Sequence, residues 1–314
     1  MQHYFAPMEG LTDSIYRRLH SRYFPGVDKY YTPFFSPTVH RSLTPREQRE
    51  LPEADSIGTV VVPQMLTKNA EDFCWMAQQC ADRGYTEVNL NLGCPSGTVT
   101  AKGKGAGMLR DPDALRKFFD GIFADPCTEI SVKTRLGMDS KDVFPELVDL
   151  WNDYPISLLI VHPRIRADLY TGPCDMDAFS YAAEHSRAPV CYNGNLCSHE
   201  QIRTFSARFP SVGTVMIGRG LIGDPGMFTP GGTTAASLQD FYGELLEAYL
   251  VAFGGSRNAM FRLKENWRYL IRLFEDDGRY VKRLRKVTSL DEYKAITAEL
   301  FRNVPLRTSL REDW

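Results

Sequence analysis

Eight polar or reactive side chains stand where short β-like runs give way to loops: Gln64, Asn91, Cys94, Lys133, His162, Arg164, Asn193 and Arg219. A thiol, an amine, an imidazole and two guanidiniums together offer proton transfer, nucleophilic attack and anion binding. Taken singly, each has a plain alternative. A strand-end His is commonly a hydrogen-bonded structural residue, and a strand-end Lys a solvated rim charge. Packing alone does not explain eight such residues in the same phase of consecutive units. Where parallel strands form a barrel, functional groups gather at strand ends, at the start of the βα loops.

The runs that must position them are YFAPM (4–8), DKYYTPFF (28–35), TVVVPQML (59–66), EVNLNLGCP (87–95), EISVKTRLG (129–137), SLLIVHPR (157–164), PVCYNGN (189–195) and TVMIGRG (214–220). Their spacing, about thirty residues, is that of a βα repeat. A doubly wound sheet shares the alternation, but eight units before the composition changes favour closure. The expected fold is α/β: a (β/α)8 TIM barrel followed by a small C-terminal helical domain. Between the runs, Asn69 can cap a helix that buries Phe73, Met76, Ala77 and Cys80. Asp111-Pro112 opens another, and Ser198 with Gln201, like Ser289 with Glu292, has capping-box spacing. Val143, Leu147, Leu150, Trp151 and Tyr154 form a core stripe. The segment TPGGTTAAS (229–237) has a linker's composition, so the barrel is placed at 1–229 and the helical domain at 238–314. In the latter, Leu263, Trp267, Leu270, Ile271 and Phe274 line one helical face.

Seven cysteines without a CxxC pair give neither a disulfide framework nor a zinc cage, and no metal is expected. No stretch approaches the roughly 18 apolar residues of a membrane span, and MQHYFAPMEG, without a basic stretch followed by a sustained apolar run, does not read as a signal peptide. A cytoplasmic monomer is expected. The net charge of −2 gives no general attraction to nucleic acid, so any such contact needs a local patch.

The run Val88-Asn89-Leu90-Asn91-Leu92-Gly93-Cys94-Pro95, then Val99 and Gly105-Ala106, resembles the signature of the tRNA-dihydrouridine synthases. APMEGLTD (6–13), VPQM (62–65), SVKTRLG (131–137), VHPR (161–164), Tyr170-x-Gly172, NGN (193–195) and MIGRG (216–220) follow in the family's order. The tail, with Met260, Lys264, Tyr269 and Phe274, is similar to the family's RNA-binding domain.

The resemblance implies bound FMN, NADPH as reductant, and uridine in RNA, with tRNA expected. Pro7, Met8 and Glu9 would lie against the flavin, and Gln64 would bond its edge. Lys133, with His162 nearby, would stand beside its pyrimidine side. Asn193, Gly194, Asn195, Gly218 and Arg219 would hold the phosphate, since the loops after strands seven and eight are this fold's usual phosphate site. Reducing the C5–C6 bond of uracil needs a hydride at C6 and a proton at C5. A thiol is mostly protonated at neutral pH, so Cys94 is the expected donor. Asn91, Lys133, His162 and Arg164 would balance charge on the uracil carbonyls. Pro163 stands where the family has Gly, Asn195 where Asp is common, and Met176 where Trp is common. These differences bear on substrate detail more than on the reaction.

From Arg262 to Lys286 there are nine basic residues against Glu265, Glu275, Asp276 and Asp277. Lys264, Arg268 and Arg272 recur at helical spacing, and Lys282, Arg283, Arg285 and Lys286 follow. Alone this is a solvated helix face. Beside such a barrel it reads as an RNA surface, which Lys102 and Lys104 would extend towards Cys94. Tyr170 is a candidate stacking partner for an unstacked uracil. Three other readings stay open: an FMN barrel acting on a free small molecule, a silent RNA-binding barrel, and a flavin-free aldolase type with Lys133 as Schiff base. The sequence leaves the modified position, tRNA against rRNA, and NADPH against NADH undecided.

Overall fold

The computed structural model describes residues 1–312 apart from 39, 55–57 and 277, so Asp277 of the basic tail lies outside the described residues. Its strands are β1 (Gln2–Phe5), β2 (Lys29–Tyr31), β3 (Val61–Val62), β4 (Gln64–Met65), β5 (Glu87–Leu92), β6 (Glu129–Gly137), β7 (Leu159–Ile165), β8 (Val190–Tyr192) and β9 (Thr214–Ile217). Between them run α1 (Ser14–Tyr23), α2 (Pro45–Glu50), α3 (Ala70–Ala81), α4 (Gly97–Thr100), α5 (Pro112–Phe123), α6 (Phe144–Trp151), α7 (Met176–His185) and α8 (His199–Arg208). After β9 come α9 (Arg219–Gly223), α10 (Ala235–Phe253), α11 (Ser256–Leu270), α12 (Arg279–Lys286) and α13 (Leu290–Asn303).

The strands form one parallel sheet in the order β3-β2-β1-β9-β8-β7-β6-β5-β4. The third run was expected as one strand, and it is two. Pro63 has no N–H to give a ladder, and the chain breaks there. β3 pairs with β2 and β4 pairs with β5, so the halves share one strand position and the sheet closes on eight. The fold is a (β/α)8 barrel with extra C-terminal helices. Tyr4, Tyr31, Val62, Leu158, Ile160, Cys191 and Met216 fill part of its interior. The buried Glu87 carboxylate is held there by Lys29 at 2.6 Å.

The caps explain where helices begin. Asn69 Oδ1 accepts the Asp72 amide, Asp111 the Ala114 amide, and Ser289 the Glu292 amide. Ser198 accepts from Gln201 N, but Gln201 Oε1 takes the Cys197 amide, so that expected box is displaced by one residue. Gly231 and Gly232 turn the expected linker, and Thr234 then caps α10.

The chain divides into two compact units that do not follow a single cut. One comprises 1–7, 28–195 and 205–216, and holds the barrel. The other comprises 8–27, 196–204 and 217–314, and is helical. Within the second, Phe241 of α10 meets Tyr16, His20 and Phe24 of the α1 segment edge-on, with centroids 5.2–6.4 Å apart. Burial lowers the His20 pKa to about 3, so this imidazole is a neutral core group. The stripe Leu263, Trp267, Leu270, Ile271 and Phe274 is buried as expected, and Trp267 Nε1 donates to Tyr293 Oη at 2.7 Å. No helix among the described residues is long and apolar enough to cross a membrane.

Phe241→Ala should cost about 3–5 kcal/mol, the usual toll for emptying a buried aromatic site. Denaturant unfolding measures it, and a loss below about 1 kcal/mol would show that α1 and α10 do not depend on this cluster.

Candidate active site

Within the barrel unit, β5 ends in a turn built by side-chain amides. Asn91 Oδ1 accepts the backbone amides of Gly93 (3.0 Å) and Cys94 (2.8 Å). Asn91 Nδ2 donates to Gln64 Oε1 at 2.7 Å, Gln64 Nε2 to Asn89 Oδ1 at 2.8 Å, and Asn89 Nδ2 to Ser131 Oγ at 2.9 Å. Four strand-borne polar groups thus form one buried chain that fixes where Cys94 projects. Gly105 packs against it at φ +58, and a Cβ there would lie 3.0 Å from Cys94 Cβ. Only glycine fills that place without displacing the thiol-bearing residue.

Lys133 lies opposite Asn91 in the β5–β6 ladder and is half-buried. Burial first, then the neighbouring Arg135 charge, lowers its amine to about 8, while Cys191 and Cys94 act the other way. No carboxylate among the described residues pairs with it. Such a cation suits an anionic ligand.

On β7, Arg164 Nη1 lies 2.7 Å from His162 Nε2. A guanidinium only donates, so Nε2 accepts and the imidazole proton sits on Nδ1. Arg164 also donates to the carbonyls of Thr171 (3.1 Å) and Gly172. It was expected to balance charge on the uracil carbonyls; here three of its five N–H groups hold His162 and the loop after β7. Pro163 does not end the strand; the β6–β7 ladder shifts register between Arg135 and Gly137, which accommodates the missing N–H.

Arg135 was missed by the sequence reading. Fully buried, it donates to the carbonyls of Gly93 (2.9 Å), Ile165 (2.9 Å) and Leu169 (2.5 Å), so it ties the Cys94 turn to the β7 loop. Leu169 is held at φ 52, a conformation costly for a side-chain-bearing residue. Beside it Tyr170 is 54% exposed, its ring stacked over His162 (6.1 Å, 27°) and 5.2 Å from the Arg135 guanidinium. The signal was there: Lys133 and Arg135 alternate on one strand and so share a face. Arg166 Nε adds a bond to the Pro95 carbonyl at 3.1 Å.

Pro7 follows β1 in this unit, and Asn193 follows β8, where its Nδ2 donates to Met216 O at 2.8 Å. A Cβ on Gly194 would fall 2.0 Å from Tyr192 Oη, so that loop keeps bare backbone. Met8, Glu9, Gly218 and Arg219 belong to the other unit. There, Met8 accepts the Leu11 and Thr12 amides in a turn before α1, and Arg219 opens α9.

The basic tail departs from expectation. Lys264 donates to the Val287 carbonyl and Arg268 pairs with Glu265 at 3.0 Å. Arg272 lies beyond α11, in the 3₁₀ turn Ile271–Leu273, and binds the Arg268 carbonyl. Arg268 is exposed, and Lys264 and Arg272 are half-buried. Lys282, Arg285 and Lys286 of α12 are exposed, while Arg283 pairs with Glu299 at 2.8 Å.

Residues 4–244 match the sequence profile of the family described as Dihydrouridine synthase (Dus). The chain belongs to that family. It is 27% identical over 79% of its length to a probable tRNA-dihydrouridine synthase of Rhodobacter capsulatus, of which it covers 80%. It is 25% identical over 72% of its length to tRNA-dihydrouridine synthase B of Pasteurella multocida, of which it covers 67%. Among solved structures, histamine dehydrogenase from Rhizobium sp. 4-9 superposes with a TM-score of 0.55 at 14% identity, covering 72% of this chain and 45% of that one. The old yellow enzyme homologue from Zymomonas mobilis gives 0.52 at 10%, covering 71% and 86%. At such identities these two speak for the barrel fold alone.

An amine whose pKa is lower folded than unfolded costs stability wherever it is charged. For Lys133 the cost is complete below about 8 and fades as pH rises towards 10.5. Ligand-free Lys133→Met should therefore unfold at higher denaturant than wild type at pH 7, with the gap closing above pH 8. A gap that ignores pH would show that the lysine is not strained by burial.

Proposed function

We propose that the chain binds FMN at the strand ends of its barrel, draws reducing equivalents from NADPH, and reduces a uridine of tRNA to 5,6-dihydrouridine with Cys94 as proton donor. The observation that carries this reading is the Cys94 turn, locked by Asn91 and standing near a cation without a carboxylate partner. The residues suit the cofactor. Lys133 offers positive charge to an anionic ring, Gln64 offers an amide edge, and the loop at Asn193, Gly194 and Asn195 offers bare backbone near a phosphate. The family resemblance adds Pro7, Met8 and Glu9 against the ring and Gly218 and Arg219 to the phosphate.

Reduced FMN, when bound, supplies the hydride to C6 of uracil. Cys94 gives the proton to C5 and is left as a thiolate, which regains its proton from solvent. Asn91 acts by holding the thiol's turn in place. Lys133, with a pKa near 8 in the ligand-free protein, is mostly charged at pH 7 and balances charge that develops on the uracil carbonyls. His162 carries its proton on Nδ1, while Arg164 and Arg135 act as positioning residues through His162 and the two loops. Tyr170, exposed and stacked on His162, is the surface for the unstacked base. On the helical side, Lys264, Arg268 and Arg272, with the α12 cations Lys282, Arg283, Arg285 and Lys286, are the phosphate contacts. Seven cysteines outside any disulfide suit a reducing, cytoplasmic setting.

Cys94→Ala should retain FMN and oxidise NADPH, because hydride transfer to the flavin does not involve the thiol. Reoxidation of the reduced flavin by tRNA should fall about 10²–10⁴-fold, and Cys94→Ser should restore little. Dihydrouridine formation at near wild-type rate in Cys94→Ala would move the acid elsewhere. Arg219→Ala should loosen FMN, seen as greater flavin loss on gel filtration; protein that stays colourless with excess FMN would end the flavin reading.

A further inference from the structure

Three lysines meet beside the Cys94 turn, and the sequence reading paired only two of them. Lys68 follows β4, and Lys102 and Lys104 belong to the tight turn after α4. A Cβ on Gly103 would lie 3.7 Å from Lys68 Nζ, so that amine reaches across to the other turn. Lys104 precedes Gly105, the glycine that packs on Cys94. The turn satisfies its own backbone: Lys102 N and Lys104 N both bond Val99 O, at 3.1 and 3.2 Å. None of the three lysines forms an ion pair among the described residues. The nearby carboxylates of Glu71 and Asp72 are taken by Arg41, at 2.7 and 3.2 Å. Burial lowers the Lys104 amine, Asp72 opposes that, and Lys102 and Lys68 push the same way as burial. Like charges gathered without neutralisation are relieved by an anion.

We propose that Lys68, Lys102 and Lys104 form a phosphate clamp that takes a phosphodiester of the RNA strand carrying the reacting uridine. The inference rests on the proposed function and adds where the strand is gripped next to the chemistry. Lys68 and Lys102 are exposed and Lys104 half-buried, so the site is shallow, as a continuous backbone requires. Three flexible point charges tolerate several backbone registers, whereas a nucleotide monophosphate is more commonly fixed by an Arg fork. The arginine at hand, Arg41, is already paired.

The test compares two charge-neutralised triples of the FMN-loaded enzyme on an unmodified tRNA transcript. One is Lys68→Gln, Lys102→Gln and Lys104→Gln. The other is Arg110→Gln, Arg116→Gln and Lys141→Gln, cations of the same unit that pair with Asp139, Asp153 and Asp175. Melting temperatures within about 2 °C of wild type establish that both fold. The clamp triple should lower the slope of log affinity against log salt by about two units, at about 0.7 per contact on a single strand. The control triple should change it by less than about one. Equal slopes for wild type and clamp triple, or equal losses in both triples, would overturn the clamp. A rise in KM for NADPH with an unchanged tRNA slope would assign the phosphate to the dinucleotide and overturn the RNA assignment. A wild-type enzyme that binds tRNA without salt dependence or never reduces it would instead overturn the proposed function.

Discussion

A strand that ends inside a protein must hand its last amides to some acceptor, because a buried N–H without one is costly. At the end of β5 the acceptor is the side chain of Asn91, which takes the amides of both Gly93 and Cys94. Its own amide is held by Gln64, and Gln64 by Asn89. Loss of any member would leave buried polar groups unmatched across three strands and release the turn that aims the thiol. The placement of Cys94 is therefore a property of the barrel's interior more than of the loop that bears it.

The cations at the same end divide into two kinds. Arg135 and Arg164 are buried and give their donors to backbone carbonyls of two loops, so their charge acts as a clasp. Lys133 has no carboxylate partner among the described residues, and burial lowers its amine pKa to about 8. A guanidinium, with a planar fork and permanent charge, can satisfy several carbonyls at once; an ammonium that shifts its pKa is suited to chemistry. On one strand, Arg135 is tied to three loop carbonyls while Lys133 has no carboxylate partner among the described residues.

Much of this was legible in the sequence because periodicity and strand-end residues report directly on a parallel barrel. The eight runs, the caps at Asn69 and Asp111, and the buried Leu263–Phe274 stripe all follow from local rules. The split at Pro63 was readable from a missing N–H but needed the partners on either side to show that closure survives it. Arg135 shares a strand face with Lys133, which spacing shows, but its role escaped because its partners are the backbone carbonyls of Gly93, Ile165 and Leu169, which carry no residue-type signal. The local partners of the basic tail were hidden for a related reason. Spacing placed Lys264, Arg268 and Arg272 on one face, while the turn after α11 and the carbonyls of Val287 and Arg268 redirected them.

The central claim is that these groups together reduce uridine in tRNA. Mapping dihydrouridine by mass at each position of tRNA and rRNA, in cells with and without this gene, tests it most directly. The account predicts that one or a few tRNA uridines carry the two extra hydrogens only when the gene is present, with rRNA unchanged. Identical dihydrouridine maps in the two strains, with the protein expressed in the first, would contradict it.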